Sequence, residues 1–353
     1  MNNSKTKKII RIALLICLIF IGSFITLACT DDDAYIKYQF DTDTKTFTVV
    51  GCMSAPGDKV IIPEEYQGYT VAAIADQAFK DTYISSVTLP STITSIGSNA
   101  FYGCKLLTSV YGLENCLSLK EIKYGTFRGC ISLKNIKLPP NLIEIELEAF
   151  WTCRSIENIE IPNSLQTIGR YAFIACDSLS QIYLPDSVIN IGIGAFAQCH
   201  SLKEVMLPPN LSARFFGVFL YCSSLTDIYV ADNSQNFTSI DGILFDKNST
   251  RIYCYPSGKT SEFYTIPSNV YTIEIKAFAY NSHLREITIP QSVSMIYDGI
   301  FESSENLTKI NYEGTVKEWQ SITKDANWND NSADYTIYCT DGQIAKDGTV
   351  TYK

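Results

Sequence analysis

Histidine is almost absent from this sequence. Only His200 and His283 occur in 353 residues, which leaves little material for an imidazole metal site or a catalytic relay. No Cys-x-x-Cys pair exists among the 12 cysteines, so the usual zinc spacing is missing. Neither GxSxG, HExxH, a P-loop nor GxGxxG appears. Positive charge is also scarce. Lys and Arg number 28 against 37 Asp and Glu, a net charge of −9. The first 28 residues hold four of those cations and no acid, so the remainder stands at 24 − 37 = −13. So acidic a body repels phosphate backbones, which disfavours nucleic-acid binding. With 46% apolar residues the chain is too apolar for disorder and too polar for a multi-span membrane protein.

A single long uncharged run stands out, at residues 12–28. The basic segment 1–11 precedes it and Ala28 ends it, which is the pattern of a secretory signal. Cys29 and the acids Asp31, Asp32 and Asp33 follow. A Cys behind a small residue resembles the lipobox of bacterial lipoproteins, although Thr26 stands where that motif has Leu. The resemblance implies cleavage before Cys29, lipidation of Cys29 and membrane attachment through that lipid only. The alternative is a signal-anchor helix, for which 17 residues are barely long enough. Either way the chain is expected outside the plasma membrane.

What fills the rest is one repeat. The lines LPPNLIEIELEAFWTCRSIENIE (138–160), IPNSLQTIGRYAFIACDSLSQIY (161–183), LPDSVINIGIGAFAQCHSLKEVM (184–206) and LPPNLSARFFGVFLYCSSLTDIY (207–229) align without gaps. An anchor Phe recurs at 79, 101, 127, 150, 173, 196, 219, 278 and 301, in steps of 22, 26, 23, 23, 23, 23, 59 and 23. A fixed period of this size predicts a solenoid. In L-x-x-I-x-L, Leu133, Ile136 and Leu138 should point inward while Asn135 and Lys137 point out. Pro139 should end the strand, and Gly169 should let the chain turn. The expected fold is an α/β-type repeat solenoid dominated by β, with coils of about 23 residues, one parallel strand per coil and β-rich caps at both ends.

The pattern LPxSLxxIGxxAFxxCxSLxxI resembles the BspA-like, or Treponema-type, leucine-rich repeat of bacterial surface proteins, over roughly residues 35–353. YQGYTVAAIADQAF (66–79) resembles the family's entry into the first coil. DGILFDKNSTRIYCYPSGKTSEFYTIP (241–267) resembles its hairpin-type variant coil, and 312–344 its carboxyl-terminal unit. With these flanks the chain divides into a lipoprotein signal peptide (1–28), a tether and N-terminal β cap (29–65), a right-handed leucine-rich repeat solenoid (66–312, with an enlarged hairpin coil at 230–267) and a C-terminal cap (313–353). The resemblance implies a cell-surface protein that mediates protein–protein interaction or adhesion, to a host matrix protein or another cell. An envelope-associated structural or glycan-binding lipoprotein is the alternative. No enzyme, metal or cofactor is implied, and the partner would be an extracellular or host-derived protein.

Two sets of residues follow from the period. Cys104, Cys130, Cys153, Cys176, Cys199 and Cys222 each sit three after an anchor Phe and should stack as buried thiols. The strand positions that point outward vary while the core positions repeat. Just before the last apolar residue of each strand the sequence reads Thr88, Lys123, Lys137, Glu160, Tyr183, Met206, Tyr229, Thr265 and Thr288, and two residues earlier it includes Glu121 and Phe263. Tyr183, Met206 and Tyr229 should touch across successive coils. Phe215, where the repeat expects Gly, and Phe263 complete the candidate binding face. His200 adjoins Cys199, but neighbouring residues of a coil point apart, so a Cys–His dyad is not expected.

Overall fold

A computed structural model describes residues 18–20, 23–29, 35–212 and 217–353, with side chains from Ile36 onward. Most of the expected signal segment, the acids behind Cys29, and both Arg214 and Phe215 lie outside the described residues. Cys29 ends the strand Ser23–Cys29, which pairs antiparallel with Tyr35–Asp41. The chain divides into two compact units, residues 1–142 and 143–353.

Each unit is a stretch of β-solenoid whose coils contribute two short parallel ladders. In the first unit Lys59–Ile61, Ser86–Thr88, Ser109–Tyr111 and Asn135–Ile136 form one ladder. Leu133, Ile136 and Leu138 are buried there, while Asn135 and Lys137 are exposed. The second ladder joins Ser95–Ile96 to Tyr69–Ile74. In the second unit it runs through Glu144–Ile145, Thr167–Ile168 and Asn190–Ile191. Its residues come from the apolar group that follows each Pro. Two residues per coil are too few to read as a strand in the sequence.

Both ends carry β-rich units. Tyr35–Asp41 pairs with Thr46–Met53, which runs parallel to Tyr69–Ile74. Tyr38, Phe47 and Tyr66 pack together on that sheet. At the other end Thr336–Tyr338, Gly342–Ala345 and Val350–Tyr352 form an antiparallel meander. It lies beside the one α-helix among the described residues, Val316–Ser321. Thr315 and Glu318 close a reciprocal capping box at that helix's start, which satisfies two otherwise orphaned N–H groups.

The anchor rings define the core. Phe79 stacks on Phe101 at 4.9 Å and 10°, and Phe101 on Phe127 at 5.4 Å and 7°. In the second unit Phe150, Phe173 and Phe196 stack at 5.0 and 5.3 Å, within 4° of parallel. The long step from Phe219 to Phe278 hides another anchor. Tyr255 lies 278 − 255 = 23 residues before Phe278, is buried, and packs on it at 5.4 Å. Its N–H bonds Ala277 O of the next coil, just as the N–H of Phe173 bonds Ala195 O. A search for Phe alone passes over it.

Left-handed backbone flanks every anchor Phe, two residues before and two after. Tyr171 and Ala175 flank Phe173, Glu148 and Thr152 flank Phe150, and Lys276 and Tyr280 flank Phe278. Each such non-glycine residue costs about 1 kcal/mol. The compensation is geometric: the N–H groups of Tyr171, Phe173 and Ala175 all reach carbonyls of the next coil. The turn therefore does not depend on Gly169, contrary to the sequence-based expectation. Gly169 serves close approach instead, since a Cβ there would lie 2.6 Å from backbone atoms of Glu146 and Leu147.

The six cysteine positions are buried, and five of the thiols are seen to donate to the anchor carbonyl of the preceding coil. Cys104 bonds Phe79 O at 2.9 Å and Cys130 bonds Phe101 O at 3.1 Å. Cys176, Cys199 and Cys222 bond the carbonyls of Phe150, Phe173 and Phe196 at 3.4, 3.3 and 3.0 Å. Where Cys gives way to Ser304, the hydroxyl makes the same bond to Phe278 O at 2.7 Å. Cys116 lies in the coil at 111–122, where the step between anchors is 26 residues, and donates to Pro90 O. Burial holds the thiols of Cys176, Cys199 and Cys222 well above the usual range.

Phe173→Ala is expected to cost about 3–5 kcal/mol by emptying a packed site, measured by chemical denaturation. A loss below about 1 kcal/mol would be incompatible with an inward, stacked ring. At pH 8 a thiol-specific reagent should leave Cys176, Cys199 and Cys222 untouched in the native protein and label them in guanidinium, because only the thiolate reacts.

Candidate functional site

The strand ladders present their alternate residues to solvent, so each coil adds one outward column to a ruled surface. In the second unit Glu204–Leu207 pairs in register with Asp227–Val230, which sets Met206 directly beside Tyr229. A parallel bridge sets Tyr183 beside Met206. The three therefore form one row, with Tyr183 77% exposed, Met206 48% and Tyr229 42%. Phe263, also exposed, is not part of that row. It heads the later ladder, in register with Glu286.

In the first unit the register departs from the sequence-based alignment. Thr88 is paired with Tyr111, not Lys123. Glu121–Ile122 is a separate two-residue strand outside that ladder. The coil at 111–122 lacks the Leu-Pro that marks the strand end elsewhere, so counting back from the apolar residues misplaced it. Tyr111, 52% exposed, is thus an outward aromatic of the first unit's own ladder that sequence reasoning missed. In the second unit Tyr338 is a further outward aromatic, in register with Asn311.

The enlarged coil builds a groove beside the row. Phe237–Ile240 and Ile243–Asp246 form a hairpin about Asp241 and Gly242, both with positive φ, as a type I′ turn requires. Arg251–Cys254 returns antiparallel to it. Buried Glu274 is held by Arg251, which keeps the charge paired. The hairpin is fastened to the strand Asp227–Val230: Ser239 Oγ donates to Ile228 O at 2.6 Å, and Ile228 N–H to Gly242 O at 2.9 Å. Between them lies a cavity of about 580 Å³ lined by Met206, Tyr229, Asp232, Phe237, Asp241 and Lys247, among others. That volume is ordinary for a ligand site. Asp227 is partly neutralised by Lys259 at 3.7 Å.

His200 and Cys199 do not form a dyad. His200 Nδ1 lies 2.9 Å from Asp177 Oδ1 on the surface, while Cys199 is buried and bonded to the Phe173 carbonyl. Among the described residues no group of three His, Cys, Asp or Glu converges as metal ligands. Among them, too, no helix is long and apolar enough to cross a membrane.

These features define a leucine-rich repeat solenoid with a strand face open to solvent. The BspA-type leucine-rich repeat model matches residues 60–156, 120–251 and 251–326 in six copies, and the chain belongs to that family. The fold is similar to a leucine-rich cell surface protein of Faecalibacterium prausnitzii, at 23% identity and a TM-score of 0.66 over 86% of this chain and 98% of that one. A leucine-rich repeat protein of Bacteroides ovatus is 27% identical, with a TM-score of 0.62 over 81% and 70%. The pneumococcal vaccine antigen PcpA is 21% identical, with a TM-score of 0.57 over 88% and 87%. No curated protein matches the chain. Neither the family nor these structures bears an enzyme's name.

Gly242 locks the hairpin to the strand face. Its φ is +74°, and a Cβ would fall 2.1 Å from Asp227 Oδ1. Gly242→Ala should therefore destabilise the protein by more than about 1 kcal/mol, read as a shift of the unfolding midpoint. An unchanged midpoint would mean that the hairpin is not clasped there.

Proposed function

We propose that this chain is an exported, lipid-anchored protein that binds a protein ligand outside the cell through the strand face around Tyr183, Met206 and Tyr229. The row of exposed aromatic and sulfur side chains carries this reading. Those side chains stand on a hydrogen-bonded ladder that fixes their spacing at about 4.8 Å, so binding orders few new residues. Tyr is a favoured anchor at interface centres, and polar neighbours such as Glu204 and Asp232 supply a rim. Family membership supports an interaction role, and one structurally similar protein is described as a cell surface protein. The basic and apolar leader before Cys29 supports export and anchoring. The expected partners are a host matrix protein or a surface protein of a neighbouring cell. An envelope-structural role is the second reading, to which an inward-facing location would point.

Protease treatment of intact cells separates the two. Loss of the wild-type protein supports outward display; protection until the envelope is opened favours the structural role. Cys29→Ala should release the protein from membranes, and continued tight retention would favour a signal anchor. The double change Tyr183→Ala, Tyr229→Ala should leave the unfolding midpoint nearly unchanged, within about 0.5 kcal/mol, because both rings are exposed. On a panel of immobilised matrix proteins it should weaken the captured interaction at least tenfold, about 1.4 kcal/mol. Undiminished affinity would exclude the row as the contact.

A further inference from the structure

The C-terminal cap carries a second, open recess of about 270 Å³ that the strand face does not use. It lies between the helix Val316–Ser321, the loop carrying Trp328 and Asn329, and the meander that carries Tyr335 and Lys346. Three aromatic rings line it. Trp328 meets Trp319 edge to face at 5.8 Å, and Tyr335 at 6.3 Å. Trp319 and Tyr335 are buried, whereas Trp328 is only half-buried and offers the accessible ring.

The charge of this cavity is the reverse of the chain's. Its lining holds Lys324 and Lys346 and no carboxylate, in a protein of net charge −9. Lys324 Nζ lies 4.7 Å from the Trp319 ring and donates to the carbonyls of Trp319 and Ile322, at 2.5 and 3.2 Å. An ammonium has three protons to give, and these two acceptors are neutral. Burial without a carboxylate destabilises its charged form and brings its pKa down to about 8. Lys346 Nζ donates to Ser332 O and stands 5.9 Å from the Tyr335 ring. Its nearest carboxylate, Asp334, is 3.9 Å away and fully solvated, so it screens weakly. Two under-neutralised ammonium groups thus share an aromatic-walled recess.

An anion that entered would restore to Lys324 the partner it lacks, and a flat body attached to that anion would pack on Trp328. The volume lies just below the usual range for drug-sized ligands, which limits the occupant to about one ring. Asn329 adds an amide to the lining, and its Nδ2 donates to Tyr335 Oη at 2.9 Å. We propose that this cavity binds a single acidic monosaccharide unit, with its carboxylate held by Lys324 and Lys346 and the C–H face of its pyranose ring on Trp328. The proposal does not depend on the strand face.

The test is ligand-observed saturation-transfer NMR on the full chain, with glucuronate and N-acetylneuraminate as probes, glucose and N-acetylglucosamine as neutral controls, and benzoate as a flat acid that is not a sugar. Binding of at least one acidic sugar is expected with a Kd of about 1 mM, and at least tenfold weaker binding of the neutral sugars. Lys324→Gln and, separately, Lys346→Gln should each weaken it severalfold, while Tyr183→Ala on the strand face should leave it unchanged. Lys346→Gln keeps the test decisive if Lys324→Gln fails to fold. Equal binding of neutral and acidic sugars, absence of binding by either acidic sugar, or an affinity that Lys346→Gln leaves intact would each overturn the proposal. Binding of benzoate alone would overturn the sugar assignment.

Discussion

The contact between one coil and the next is what the rest of the molecule depends on. A single coil of about 23 residues has too few apolar side chains to enclose a core. It also bends through left-handed residues such as Tyr171, Ala175 and Thr152, which are unfavourable in isolation. Both deficits are made good by the neighbour. The same backbone that strains to turn directs three N–H groups at the next coil's carbonyls, and it brings successive anchor rings to 4.9–5.9 Å of one another. The thiols of Cys104, Cys130, Cys176, Cys199 and Cys222 then satisfy the anchor carbonyl of the coil before. Sulfur suits this position because it is small, apolar enough to bury and still a weak donor. Ser304 makes the equivalent bond with a hydroxyl, so the bond does not require sulfur.

The interior repetition is what leaves the exterior free to vary. Core side chains must match their neighbours, whereas the outward strand positions meet only solvent or a partner. On the pair of strands at 204–207 and 227–230, Met206 stands beside Tyr229 while the acids Glu204 and Asp227 face each other, so only some outward columns keep one chemistry. The hairpin at 237–246 breaks this uniformity in one place. It stands against the strand Asp227–Val230 and turns a flat face into a recess.

Most of the fold was legible in the sequence because its period is written in side chains. The anchor Phe, the thiols and the strand-ending Pro residues repeat at fixed steps, and burial follows from that repetition. Three kinds of feature were not legible. Backbone conformation leaves no residue signature here, since Gln, Glu, Tyr, Thr and Gly all occupy the left-handed positions. Substituted anchors escape a literal pattern, as Tyr255 did. Register in the irregular coil depends on which backbone groups pair, and Tyr111 took the outward place that the apolar count assigned to Lys123. The row of Tyr183, Met206 and Tyr229 could be drawn from the period alone. The groove beside it and the lysine-lined recess in the C-terminal cap required three dimensions, because their walls come from segments that share no repeat.

The coil-to-coil bonding has a consequence for how such a chain changes over generations. A gene segment encoding residues 162–184 begins and ends at equivalent positions of successive coils. Copying it in frame would place a coil between two neighbours that already carry its complement, with the ring stack, the thiol bond and both ladders continued across each new junction. Deleting it would rejoin the same surfaces. Recombination can therefore lengthen or shorten the face one column at a time without inventing a new interior. The caps, the hairpin coil and the irregular coil at 111–122 have no such freedom, since each is bonded to a neighbour unlike itself. Variation in length is thus expected in the uniform coils between residues 138 and 207, and variation in recognition at their outward side chains.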